Sequence, residues 1–535
     1  MTAISALNNA HYLNAPPPSA GAPAAGKAGA KDGGAQSSTI VSIGAADTAN
    51  TAQTYYFPNT PAASAVPPIW QHAPGDAVSM VMAGNYLQPS LADRFKGLGG
   101  ALLNSFKDGG GNFSQSVMQG MPAQSADQAG AAGAAEAATP GAQVFSTTMA
   151  DEKLNIQTKS GVKVELSLEN QGNGLTVKAS SSGDLSDAER AAVAQLSGAF
   201  QDALDGLGAA TPSLDLSGLT QFDSSVLSSV DLHSEVTPQG QATQTIDFHA
   251  DSQARTVNVQ GPAGALKVNV DMRNAASWGS DTQRADAMNN YLKQFDAAAT
   301  RGQGDQSLVA MFKDAFSEMN SSLAQPSTLL RPSAMPLTDS DHAMLSGLAD
   351  FDASVTQAAK AGNPMHLNEL DTFSYSASQS TTVRGDSILD RSISQQQHAQ
   401  LNASYHEGLV PDIPLELSTL KSSQNYYFKQ IDDSADSAVG INYFKGGLTK
   451  ALLTQAASQS MHASKYEMGE LVEDMTTPLK GSRTTDILGT LKPFLKNGKL
   501  DTQADRYQWQ DALAKVHDSI LLQSDPLSLR GDAAQ

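Results

Sequence analysis

The stretch from Ala150 to Val236 constrains the fold more than any other, because it reads strand, strand, helix, helix, strand. From Asp151 to Leu168, and again from Gly174 to Ala179, apolar and polar residues alternate, with Leu154, Ile156, Val162, Val164, Leu166 and Leu168 as the apolar set. A period of two sends one face of a strand into a core and the other into water. Ser186 then opens a helix with Glu189 three residues on, the spacing of a capping box in which two orphaned backbone N–H groups find partners. Val193, Leu196, Phe200, Leu204 and Leu207 follow at steps of three and four, so one helical face must be buried. Beyond Thr211-Pro212, Leu214, Leu216, Leu219 and Phe222 lead to Asp223 and then to Val226, Leu227 and Val230. Hairpin-like strands kept apart in sequence from the helices predict an α+β fold. Long antiparallel sheet should pack against amphipathic helices, in contrast to a doubly wound parallel sheet.

The rest of the chain extends this pattern. Residues 1–66 are rich in Ala, Gly, Pro and Ser and are predicted to be a disordered tail, with Tyr55-Tyr56-Phe57 its one apolar cluster. Residues 76–121 read as a helical segment through Leu91, Phe95, Leu98, Leu102 and Phe106, and 122–143 as a linker. Residues 144–325 form one α+β domain, with a hairpin at Gly261-Pro262-Ala263-Gly264 and two helices between Ser280 and Ala324. Residues 337–525 form a second α+β region packed on the first. It contains a short helix capped by Asp339, and period-two runs from Leu370 to Tyr466. It also carries a hairpin turning through Asp432 to Ser437 and two C-terminal helical faces. Phe351 to Val355 echoes Phe222 to Val226, and both are placed ahead of a strand; five residues leave a duplication open.

Composition removes several functions. The chain has 54 acidic against 34 basic residues and no Lys/Arg cluster, so nucleic acid and anionic membranes are not expected partners. Without cysteine there is no disulfide framework, thiolate metal site or cysteine nucleophile. Charged residues make up only 16%, where about 25% is usual, and Ala, Ser, Gln and Gly fill the difference. That bias favours an exported or surface-exposed bacterial chain. Met1 to Leu13 lacks the basic residue and apolar run of a leader, and no stretch approaches the roughly 20 apolar residues of a membrane span.

Candidate chemistry is sparse. Gly385-Asp386-Ser387-Ile388-Leu389-Asp390 resembles the nucleophile block of the GDSL hydrolases, which makes Ser387 the one weak catalytic candidate. The family's downstream Asp-x-x-His is missing around His398, His406, His462 and His517, so the block reads as a polar turn. Arg384-Gly385-Asp386 and Arg530-Gly531-Asp532 match the integrin-binding tripeptide and are also read as turns. His398 and His406 lie eight apart on a strand and share a face, whereas Glu407 points away. Asp432, Asp433 and Asp436 lack the spacing and glycine of a calcium loop. Gly97 to Gly100 follows no strand and is not a dinucleotide fingerprint. No cofactor and no metal is expected.

The strand–helix–strand run ending in Phe222 to Leu227 resembles a group of uncharacterised leaderless proteobacterial proteins, some of them flagellar- or surface-associated. The segment Leu91 to Phe106 followed by Phe113-Ser114-Gln115-Ser116 shares that resemblance. It implies no activity and transfers no site residue. The sequence favours a non-enzymatic exported or surface-associated bacterial interaction protein, with protein partners. A leaderless secreted hydrolase effector and a cytoplasmic binder of an apolar ligand are the alternatives.

Overall fold

The computed structural model describes residues 68–108, 111–119, 148–209, 212–321, 335–411, 413–494 and 503–530. Its strands are β1 (Ile69–Trp70), β2 (Phe113–Met118), β3 (Met149–Thr158), β4 (Lys163–Gln171), β5 (Gly174–Ser181), β6 (Leu227–Thr237), β7 (Gln244–Asp251) and β8 (Ala254–Gly261). They continue with β9 (Gly264–Asp271), β10 (Asp350–Gln357), β11 (Lys360–Ala361), β12 (Leu370–Ser387), β13 (Asp390–Gly408), β14 (Tyr426–Phe444), β15 (Gly447–Glu467) and β16 (Glu470–Asp486). The helices are α1 (Ala77–Asn85), α2 (Leu91–Phe95), α3 (Leu98–Ser105), α4 (Asp187–Gln195), α5 (Ser197–Leu207), α6 (Asp281–Gly302), α7 (Gln306–Met319), α8 (Asp339–Ala343), α9 (Ile487–Leu491), α10 (Gln503–Ile520) and α11 (Pro526–Leu529).

All sixteen strands belong to one antiparallel sheet in the order β1-β2-β5-β4-β3-β6-β7-β8-β9-β10-β12-β13-β14-β15-β16, with β11 added beside β12. From β6 onward the order follows the chain, because each strand is joined to the next by a hairpin or by a helical excursion that returns to its neighbour. The two regions expected at 144–325 and 337–525 are therefore stretches of a single sheet. Their seam is the pairing of β9 with β10, from Asp350↔Asp271 to Gln357↔Gly264.

Alternation sorts the side chains. In β3, Ala150, Glu152, Leu154, Ile156 and Thr158 are buried and the residues between them are not. The buried parity faces the helices, and one apolar core runs beneath α1 to α7. Its centre is a set of aromatic rings in which Tyr291 and Phe316 meet Phe351 edge-on, with centroids 5.0 and 4.9 Å apart. A second core joins α8, α9 and α10 to β13, β14 and β15 through Leu345, Ile393, Ile441, Leu453, Val516 and Ile520. Beneath the last residues of α10 and the irregular backbone that follows to Ser524, the sheet presents glutamines instead of hydrocarbon. Gln397 donates to Ile520 O and accepts from Leu522 N, Gln455 donates to Ser519 O and Leu521 O, and Gln459 donates to Ser524 O. Buried backbone outside a helix or ladder needs such partners.

Several expectations change. The α-helix ends at Ser105 and one 3-10 turn carries on to Asp108, while Phe113–Met118 is a strand beside β5. The helix after Ser186 has its capping box but breaks at Leu196 into α4 and α5. Thr338, not Asp339, caps α8, its partner being Asp341. Asp341 also forms a buried ion pair with Arg391 at 2.6 Å. Phe351 to Val355 lies inside β10, whereas Phe222 to Val226 precedes β6, so the two echoes hold different places in the fold. The hairpin expected around Asp432 to Ser437 does not exist; β14 runs straight through it. The tail at 1–66 and the linker at 122–143 lie outside the described residues.

Candidate interaction face

On the face away from the helices, the sheet between β10 and β16 is paved with small polar side chains. Ser374, Ser376 and Ser378 stand on β12, Ser394, Gln396 and Asn402 on β13, and Ser458 and Ser460 on β15. The excess of serine and glutamine in the composition is spent here and on the glutamines under the C-terminal segment. Toward β6 and β7 the face becomes charged. His233 pairs with Asp247 and His249 with Asp231, each at 2.6 Å and each directly across the ladder.

One end of this face is roofed. β11 pairs with the start of β12, and the residues that follow it, Gly362 to Glu369, fold over the end of β13, the start of β14 and the end of β15. The roof is pinned by a polar network. His406 meets Asp371 through Nδ1 at 2.7 Å and Glu369 through Nε2 at 3.2 Å. The Tyr426 hydroxyl donates to the same Glu369 oxygen at 2.7 Å and accepts from Asn363 at 2.9 Å, while Asn363 also donates to Gln424. Tyr466 stacks on Tyr426 with centroids 4.8 Å apart. Burial acts to lower the pKa of His406, but the carboxylates of Asp371 and Glu369 outweigh it and the net shift is upward. Tyr426 is held far above the ordinary phenol range, first by burial and then by Glu369. With both ring nitrogens of His406 engaged, the network works as a clamp.

Around the roof the loops are apolar. Ten of the twenty large apolar side chains exposed among the described residues belong to this one end. They come from the roof and the start of β12 (Met365, Leu367, Leu370), from the connection after β13 (Val410, Ile413, Leu420), and from the β15–β16 turn with the start of β16 (Met468, Leu471, Val472, Met475). The turn and the connection touch, since Met468 N donates to Asn425 Oδ1 and Gly469 N to Gln424 O. Beside this end β16 is the edge of the sheet. Pro478 leaves it without one N–H, and Arg530 Nε occupies the carbonyl of Lys480, two devices that discourage strand addition.

The residues singled out in the sequence are dispersed. Ser387 closes the β12–β13 turn, its Oγ accepting from Leu389 N and Asp390 N at 3.3 Å, and it has no histidine among its hydrogen-bond partners. His398 and His406 do share the open face, roughly 27 Å apart along β13. They serve different partners, Asp436 at 2.8 Å for His398 and the clamp for His406. Glu407 lies one residue on and pairs with Lys429. Asp433 faces the helices and pairs with Arg301, while Asp432 and Asp436 face outward, so the three aspartates do not converge. Among the described residues no group of three or more potential ligands is placed to hold a metal. Arg384 to Asp386 is exposed at the end of β12, and Gly531 and Asp532 lie outside the described residues.

Sequence reasoning missed Asn363, Glu369, Tyr426 and Tyr466. The one usable signal was Asn363-Pro364, a turn-forming pair placed between two strands. No family model matches the chain, and no curated protein and no solved structure does.

Proposed function

We propose that this chain is a non-enzymatic interaction protein of a bacterium, exported or surface-associated, that meets protein partners through the apolar end of the β12–β16 sheet. The observation that supports this reading is the gathering, at that end, of half the large apolar side chains exposed among the described residues. Contiguous exposed apolar surface is costly in water, and where it persists beside polar residues it marks a contact site. The glutamate and lysine pairs around it, Lys421–Glu470 and Lys465–Glu467, give it a polar rim of the kind that surrounds interface cores. Among the described residues no helix is long and apolar enough to cross a membrane.

The test is fractionation of the producing bacterium into cytosol, envelope and medium, with wild type and with Leu471→Asp combined with Val472→Asp. Wild type should distribute to envelope or medium, and the variant should lose its envelope share while melting at the same temperature. Retention of both proteins in the cytosol would overturn the reading. So would ester hydrolysis by wild type that vanishes in Ser387→Ala.

A further inference from the structure

β16 ends the sheet, so among the described residues no strand lies on its outer side. In an antiparallel ladder every second residue turns its N–H and C=O away from the neighbouring strand. Two observations identify that set in β16. Pro478, opposite Ser460, has no N–H to give β15, and Lys480 directs its C=O to Arg530 Nε at 3.0 Å. The even-numbered residues therefore turn outward, and the register is unbroken from there back to Glu473. Asp474 and Thr476 belong to this outward set.

The outer edge is guarded unevenly. From Pro478 on, a missing N–H and the Arg530 contact obstruct it, and α11 packs so closely that a Cβ on Gly481 would run into the Pro526 carbonyl. Before Pro478, every residue from Glu470 to Thr477 is exposed. The backbone N–H and C=O groups of Asp474 and Thr476 have no partner among the described residues. An edge left open over this length is a template for another strand.

The carboxylates decide which strand. Glu473 is in no ion pair among the described residues, while Glu470 meets Lys421 at 3.4 Å and Asp474 meets His462 at 2.7 Å, both at exposed positions. A second β16 laid antiparallel on this one would set these acids against their own copies, and like charges facing across a ladder repel. A strand carrying lysine or arginine would meet them with opposite charge. The acids thus penalise self-pairing and favour a basic strand.

We propose that the outer edge of β16 from Glu470 to Thr477 takes up an extended segment of a partner protein as an added strand, one in which lysine or arginine alternates with apolar residues. The proposal rests on the interaction reading above and supplies its mode of recognition. The N–H and C=O groups of Asp474 and Thr476 hold the backbone, Glu473 and Asp474 select basic side chains, and Leu471, Val472 and Met475 receive apolar ones.

The probes are short fluorescent peptides titrated into the full-length protein and followed by anisotropy. One alternates lysine with valine and one alternates glutamate with valine. The third is the lysine–valine peptide N-methylated throughout, which keeps its charge and loses its N–H donors. Wild type should bind the lysine–valine peptide saturably, the N-methylated form about tenfold more weakly, and the glutamate–valine peptide not at all. Thr476→Pro removes an outward N–H, leaves the ladder to β15 whole, and should weaken the lysine–valine peptide about tenfold. Glu473→Lys combined with Asp474→Lys should transfer binding to the glutamate–valine peptide. If Thr476→Pro fails to fold, the N-methylated peptide on wild type decides. Equal binding of the plain and N-methylated peptides would overturn the proposal in favour of charge attraction alone. No saturable binding, or a wild-type dimer that Thr476→Pro abolishes, would also overturn it. Fractionation separates this proposal from the reading beneath it. A full envelope share for Thr476→Pro, beside a lost share for the Leu471→Asp and Val472→Asp variant, would overturn strand addition and leave the contact reading standing. Wild type confined to the cytosol would overturn the contact reading, and the peptide titrations would still decide the edge.

Discussion

Phe200 shows how closely single side chains are fitted. It has no exposed surface, and a Cβ added to Gly99 on the facing helix would come within 2.9 Å of its ring and 2.7 Å of Leu204. The glycine is what lets α3 and α5 approach. Phe200→Ala should therefore cost about 3–5 kcal/mol, the range for an emptied aromatic site. Ser186→Ala removes a cap from an exposed helix start and should cost about 0.5–2 kcal/mol. Urea melts of the two variants test this; equal, mild losses would mean that the α3–α5 contact contributes little. Both residues were legible in the sequence, Phe200 from its place in the apolar stripe and Ser186 from the capping spacing. Glu152 was legible only as a mismatch. It shares the even parity of Leu154 and Ile156, and nothing in a sequence pattern says whether such a residue ends a strand, pairs or stays buried alone.

The elements that sequence pattern misread share a cause. Asp432 to Ser437 looks like a turn because its inward positions carry Asp433, Ala435 and Ser437 instead of large apolar groups. Those positions face Arg301 and the backbone at Ile520, so a polar inward face is what the packing requires there. β16 is exposed on nearly every residue and contains Pro478, so it offers no apolar alternation to read. The break at Leu196 leaves the apolar spacing intact and is equally silent. The roof over β13 to β15 was hidden because its partners are distant in sequence, and its chemistry gives it a pH dependence. The folded-state pKa of His406 lies above 6.5, so the clamp's contribution is fully present below that value and is lost as pH rises through the folded value. Glu369, Asp371 and Tyr426 meet the ring, His366 lies on the other oxygen of Glu369, and the carboxylates favour the protonated form of His406. Amide hydrogen exchange across 362–369, corrected for intrinsic rates, should be slower at about pH 6 than at about pH 9. His406→Leu should remove the difference. Equal protection at both values in wild type would show that the roof is held by Asn363 and β11 without the imidazole.

At the scale of the molecule, the joining of two sequence regions into one sheet has a thermodynamic consequence. The seam between β9 and β10 pairs eight residues on each side, and the core beneath it continues from Val78 to Leu529. Phe351 belongs to the second region by sequence, yet its ring lies against Tyr291 and Phe316 from the helices of the first. Sequence alternation gave β3, β4 and β7 to β9 their inward faces but could not order strands across the long stretch that separates β9 from β10, because hairpin signals act only between neighbours. If two domains were merely in contact, losing one aromatic at the boundary would lower the melting temperature of one and spare the other. With a shared core and a continuous ladder, unfolding either side exposes apolar surface on the other, and the two should melt together. Differential scanning calorimetry of wild type should give one principal transition for the sheet. Phe351→Ala should move that whole transition downward, with a loss of about 3–5 kcal/mol if its cavity stays open. Two resolved transitions, only one of them displaced by Phe351→Ala, would mean that the ladder at Asp350 to Gln357 does not couple the halves and that the sheet is continuous in geometry alone.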